Sequence, residues 1–122
     1  MKFSLDAGAG IVVTGAGPGW IRVGSEEVRG NVVLTPDAVH PGFAPGGFDA
    51  LAAADYEALL AHKPELVVVG TGTTQRFAHP RLLQAFHAAH VGIDHMTTLA
   101  ACRTFNIASG EGRRVVAALI IS

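Results

Sequence analysis

An α/β fold, built as a three-layer single domain with a mixed central sheet and an N-terminal β-hairpin layer, is predicted by three features of this sequence. The run Leu66-Val67-Val68-Val69 is β-branched and apolar and stops at Gly70, as a strand buried on both faces does. From there to Val91-Gly92-Ile93-Asp94-His95-Met96 the spacing leaves room for a crossover helix and a parallel return. The first third of the chain alternates short apolar runs with glycine and proline turns.

The elements follow in order. Ile11-Val12-Val13 and Trp20-Ile21-Arg22-Val23 bracket Gly15-Ala16-Gly17-Pro18-Gly19, the pattern of an antiparallel hairpin. Its glycines read as turn geometry rather than a phosphate loop, because no helix start follows to aim backbone N–H groups at an anion. Gly24-Ser25-Glu26 turns the chain again. Asn31 to Thr35 is a short strand closed by Pro36, whose ring cannot donate to a ladder. Pro36 to Gly47 reads as a loop or edge segment in which Phe43 and Phe48 cover core. Asp55 is the expected N-cap of a short helix carrying Tyr56, Leu59 and Leu60, which Lys63-Pro64 ends.

After Gly70, Pro80 suits a first helical position, and Leu82, Leu83, Phe86 and Ala89 fall on one helical face. Thr97 and Thr98 can cap a further helix through Asn106. Gly110-Glu111-Gly112 turns the chain, and Arg114 to Ile121 is continuously apolar after its first residue, as a central strand is. Deleting the last few residues is therefore expected to be unusually damaging.

Composition narrows function. The 122 residues are 49% hydrophobic and 16% charged, with formal net charge -1, so one domain spanning 1–122 is expected. Clustered Lys and Arg are absent, which argues against nucleic acid and acidic membrane surfaces. The amino terminus shows no export signal, because Asp6 interrupts its apolar stretch, and no run reaches the roughly 18 residues of a membrane span. Cys102 is the only cysteine, so an internal disulfide is impossible and a cytoplasmic setting is expected.

Two loops attract a functional reading. In an open parallel sheet, ligands sit beyond the carboxyl ends of the strands, and those ends deliver Gly70-Thr71-Gly72-Thr73-Thr74 and Asp94 to Thr98 to one edge. Candidate ligand-binding residues are Gly70, Thr71, Gly72, Thr73, Thr74, Asp94, Met96, Thr97, Cys102 and Arg103. The glycines would form an anion-holding nest, the threonines offer hydroxyls, and Arg103 adds a cation. Equally, the glycines can serve a tight strand exit, the threonines can cap helices, and Arg103 can pair with Asp94 as a structural bridge. The loop is neither a Walker loop nor GxGxxG, since Gln75 takes the final glycine's place.

Two further patterns are set aside. His87 and His90, three apart, form a bare HxxH, and no metal is assigned. Cys102 with His95 as base would make a nucleophile, but its apolar neighbours and its place inside a helix predict a buried, slowly reacting thiol.

The motifs Gly70-Thr71-Gly72, Gly92-Ile93-Asp94-His95-Met96-Thr97-Thr98, Ala101-Cys102-Arg103-Thr104-Phe105-Asn106, Glu111-Gly112-Arg113 and Ala117-Ala118-Leu119-Ile120 together resemble a family. It is the small domain-of-unknown-function family, of Mth type, that includes the mitochondrial complex one assembly factor three proteins and the mammalian adipogenesis-associated proteins. The resemblance covers nearly the whole chain. It implies a three-layer α/β domain with a mixed sheet and no established enzymatic activity. Asp94-His95 stands where the family often has glutamate before valine, and Phe105 where tyrosine is usual. The expected function is a non-catalytic binding or assembly module with a protein partner and no cofactor. The alternative is a small enzyme or sensor holding an anionic metabolite between the two loops.

Overall fold

The computed structural model describes residues 10–121, so the reading of the amino terminus as lacking an export signal lies outside the described residues. Five strands form the central sheet in the order β5-β4-β8-β6-β7: β4 is Val32–Thr35, β5 Ala38–Pro41, β6 Leu66–Gly70, β7 Gly92–Met96 and β8 Val115–Leu119. β8 runs parallel to β6, with Val68 opposite Ala117, and antiparallel to β4, with Leu34 opposite Ala117. All five residues of β8 are buried, as its unbroken apolar run predicts. β7 returns parallel to β6, as the crossover spacing requires.

A second, three-stranded antiparallel sheet holds β1 (Val13–Gly17), β2 (Trp20–Val23) and β3 (Glu26–Val28). The hairpin is tighter than the sequence suggests: Gly17 pairs with Trp20, leaving Pro18 and Gly19 as the turn, and Gly19 takes φ 76. β4 does not join this layer. It is drawn into the central sheet by its four buried residues.

The three layers follow from strand alternation. Ile11, Val13, Ile21 and Val23 pack together with helix α3 (Thr98–Gly110) on one face of the central sheet, around Val68, Ala117 and Leu119. Val67, Val69, Val116 and Ala118 point to the other face, where α1 (Ala53–Ala58) brings Tyr56 and α2 (Gln84–Ala89) brings Phe86. Phe43 and Phe48 lie partly buried against that core.

Local expectations need correction at several points. The N-cap of α1 is Ala52, and Asp55 acts from inside the first turn, its Oδ2 accepting the Ala52 N–H at 2.8 Å. The segment after Pro80 is not one helix. Pro80–Leu83 is a 3-10 turn capped by the His79 ring, only Gln84–Ala89 is α-helical, and Ala89 is exposed rather than on the core face. α3 continues to Gly110, four residues past the expected Asn106, and in that extension Ala108 is buried in the same core as Phe105.

Candidate functional site

Three chain segments meet beyond the carboxyl end of β6. Gly70 is the one residue that fits at the exit, since a Cβ there would lie 2.9 Å from Thr98 Cα and 3.0 Å from Leu119 Cδ2. That close approach lets the Thr98 hydroxyl accept the Gly72 N–H at 2.8 Å while donating to the Ile120 carbonyl at 2.6 Å. The Thr98 N–H donates to the Gly72 carbonyl at 2.9 Å, and Ile120 N–H to the Gly70 carbonyl at 2.8 Å. One threonine thus joins the exit of β6, the start of α3 and the end of β8.

The loops expected to face each other do so. Thr71 N–H donates to Met96 O at 2.8 Å, Arg76 N–H donates to the Thr71 hydroxyl at 3.1 Å, and the Gln75 amide donates to His95 O at 2.8 Å. The consequence is chemical: the Thr71 and Gly72 amides, which an anion nest would present to a ligand, are already engaged within the chain. Thr97 caps α3, its hydroxyl accepting the Ala100 N–H at 3.3 Å.

Beside this junction lies a cavity of about 520 Å³, roofed by the hairpin tip from Ala16 to Ile21 and floored by Gly72, Thr73, Thr97 to Leu99, Ile120 and Ile121. Its volume is that of a small-molecule or side-chain pocket. No acidic, basic or thiol side chain lines it among the described residues.

The ten sequence-predicted residues divide accordingly. Gly72, Thr73 and Thr97 line the cavity. Gly70 and Thr71 are buried in the junction beneath, and Thr74 is exposed on the loop. Met96 packs against the α3-side core, its sulfur accepting from the Thr104 hydroxyl at 3.5 Å. Cys102 is buried in the same core, 3% exposed, and burial pushes its thiol up to about 11. Asp94 and Arg103 are both exposed, and among the described residues no ion pair joins them, so the expected bridge is absent. Helix geometry gives the reason. Cys102 and Phe105 point into the core, and Arg103, about 100° further round from Cys102, is turned to solvent with Leu99 and Ile107.

His95 does not reach the thiol either. Alternation along β7 sends it to the opposite face of the sheet, where its Nε2 lies 3.1 Å from the buried Tyr56 hydroxyl. Burial lowers the His95 pKa, against an opposing pull from the Asp94 charge, and raises Tyr56 to about 12. The two rings form a neutral core pair. His87 and His90 are exposed, and among the described residues no three His, Cys, Asp or Glu side chains converge as metal ligands would.

Sequence reasoning missed two contributors. The hairpin tip, with the chain's one tryptophan, reads as plain turn because its role depends on docking over α3. Asn106 reads as the end of a helix, yet its side chain pairs with the backbone of Val13 in β1.

Comparison with known proteins places this arrangement. Residues 13–120 match the model of a family described as a protein of unknown function, DUF498/DUF598. An uncharacterized protein of Rhodobacter capsulatus is 37% identical over 116 residues, covering 93% of this chain and 86% of that protein. NADH dehydrogenase [ubiquinone] 1 alpha subcomplex assembly factor 3 of Mus musculus is 42% identical over 62 residues, 51% of this chain; the match spans only 34% of the mouse protein. A crystal structure from Bordetella parapertussis superposes with TM-score 0.86 at 31% identity, covering 93% of this chain and 97% of that one. The solution structure of a Bordetella pertussis protein, a Mth938-like domain, gives TM-score 0.77 at 29% identity, over 99% of this chain and 92% of that one. With the family's match running from β1 to the residue after β8, the chain belongs to the DUF498/DUF598 family.

Proposed function

We propose that this chain is a non-catalytic binding or assembly module that works on a protein partner in the cytoplasm. The observation that carries this reading is the cavity: among the described residues its walls are apolar side chains, backbone and threonine hydroxyls, with no acidic, basic or thiol group to move a proton or attack a carbonyl. The one thiol is buried with a raised pKa, and the one buried imidazole is on the far side of the sheet. Kinship with an assembly factor of the mouse NADH dehydrogenase alpha subcomplex suggests the kind of partner, a subunit met before it joins a multi-subunit complex. The test is affinity capture of the tagged chain from its native cell, with mass spectrometry of proteins and small molecules. Reproducible enrichment of subunits of one complex, raised when its assembly is blocked, is the expected result. Recovery of a converted metabolite with no protein would overturn it.

The second reading is a crevice between Gly70–Thr74 and Asp94–Thr98 that holds a small anion. It draws on the exposed Thr73 and Thr74 beside the start of α3. Titration with phosphate or sulfate, followed by amide chemical shifts, tests it: movement confined to Thr73, Thr74 and Leu99 would support it, and no movement up to tens of millimolar, about the weakest useful affinity, would retire it.

A further inference from the structure

We infer that the exposed face of α3 and the cavity at its start form one docking surface, fitted to a partner polypeptide that presents an apolar, an acidic and a second apolar side chain in succession. This rests on the reading of the chain as a protein-binding module and says where and by what chemistry it binds.

Leu99, Arg103 and Ile107 stand at i, i+4 and i+8, so they form one stripe about 12 Å long on the outer side of α3. Leu99 is 48% exposed and Ile107 65% exposed. Val12, 42% exposed, precedes Val13, the residue that Asn106 of α3 holds by its backbone. The only other exposed large apolar side chain among the described residues is Phe77, on the loop after β6. Two of the four exposed large apolar side chains among the described residues therefore share one face of α3, and at its first turn Leu99 also forms part of the cavity wall.

Charge identifies the occupant. α3 contains no acidic residue, so nothing one turn away along the helix can pair with Arg103, and no ion pair reaches it from elsewhere among the described residues. In water such a guanidinium is well hydrated. Covered by a partner, it would be desolvated between two apolar side chains and left uncompensated unless the partner brought a carboxylate. The stripe thus attracts an acid flanked by apolar residues and rejects a basic segment, which is specificity by charge as well as fit. The cavity at the Leu99 end has room for a large aliphatic or aromatic anchor, the kind of side chain that carries most binding energy at interfaces.

The experiment is photo-crosslinking in the native cell, with a benzophenone amino acid placed at Ile107 and, as a control on the opposite layer, at His87. Crosslinked peptides are sequenced by mass spectrometry. The expected result is a protein partner captured from position 107, through a segment in which Asp or Glu is flanked by apolar residues. Recovery should fall at least about tenfold in Arg103→Glu, the equivalent of one lost charge contact, and stay within a few-fold in Arg103→Lys. Circular dichroism would confirm that both exposed-site variants fold. Capture from 107 of a second copy of this chain, a lipid or a basic segment would overturn the inference, as would recovery indifferent to Arg103→Glu. Capture from 87 alone would overturn it while leaving the module reading intact, and capture from neither position would sink both.

Discussion

The side chain of Asn106 grips the backbone of Val13 at both ends: its amide donates to the Val13 carbonyl at 2.7 Å and its oxygen accepts the Val13 N–H at 2.9 Å. In effect α3 offers β1 a two-bond substitute for a neighbouring strand. This fixes the three-stranded sheet over the helix and so fixes the hairpin tip that roofs the cavity. Asn106→Ala leaves both partly buried backbone groups without that partner and should cost about 1 to 3 kcal/mol. Urea unfolding measures it, and amide exchange should speed up in β1 and β2 before the central sheet. Unchanged stability with unchanged exchange would show that apolar packing alone seats the small sheet.

Thr98 should be sensitive to loss of its hydroxyl rather than to loss of volume. Thr98→Val orphans the Gly72 N–H and the Ile120 carbonyl and should destabilise by about 1 to 3 kcal/mol, whereas Thr98→Ser should keep most of the stability. Gly70→Ala should cost a similar amount, about 1 to 3 kcal/mol, for a different reason: its methyl meets the Thr98 backbone. Equal stability of the Val and Ser variants in urea would remove the hydroxyl from the account.

Cys102 should resist thiol reagents in the native protein. It is 3% exposed, and burial raises its pKa to about 11, so little thiolate forms near neutral pH. Labelling at pH 8 should follow the rate of unfolding and accelerate with urea. A burst of labelling in native buffer would contradict both the burial and the inert assignment.

Asp94→Ala and Arg103→Ala should each change stability by no more than about 0.5 kcal/mol, as exposed sites do, and should add without coupling in a double-mutant cycle. A coupling of about 3 kcal/mol, the scale of breaking a buried pair, would mean that the two side chains meet in solution.

Acidification should loosen the fold through its histidines. His95 and His62 both have pKa values lowered first by burial, so between the folded values and the ordinary 6.5 the unfolded chain binds more protons. Stability therefore rises with pH up to about 6.5 and falls as pH drops below it. Urea midpoints at pH 7.5 and 5.5 should show the loss, and His95→Gln should shrink it. A midpoint that is flat across that range would exclude both groups. At lower pH a second loss should appear, because the Thr35 hydroxyl and Arg114 hold the Asp37 carboxyl below its usual range, and that contribution disappears as the carboxylate is protonated.

The central sheet was readable because burial on both faces leaves an unmistakable mark: β6 and β8 are apolar without interruption, and β7 follows at crossover distance. The docking of the small sheet was not, because it joins residues far apart in the chain, through shared apolar packing with α3 and through the Asn106 side chain meeting a strand 93 residues away. The candidate site was half legible. The convergence of the Gly70–Thr74 loop with the start of α3 follows from topology, but which face of α3 points inward is decided by Cys102 and Phe105, and that turned Arg103 outward and away from Asp94. A strand's alternation, applied to β7, would have parted His95 from Cys102 at the outset.

The position of β8 bears on how a ribosome-bound chain can fold. β4 and β6 share no ladder of their own; each pairs with β8, which lies between them and is the last of the described elements to be synthesised. Until β8 has emerged from the ribosome, β4 with β5 and β6 with β7 can form only separate, half-covered pairs, each with an open edge that invites other chains. Closure joins residues as distant as Val32 and Leu119, a long loop whose ordering makes the step slow and abrupt. For this protein the interval before β8 emerges is the one in which a chaperone, or the eventual partner, has most to protect.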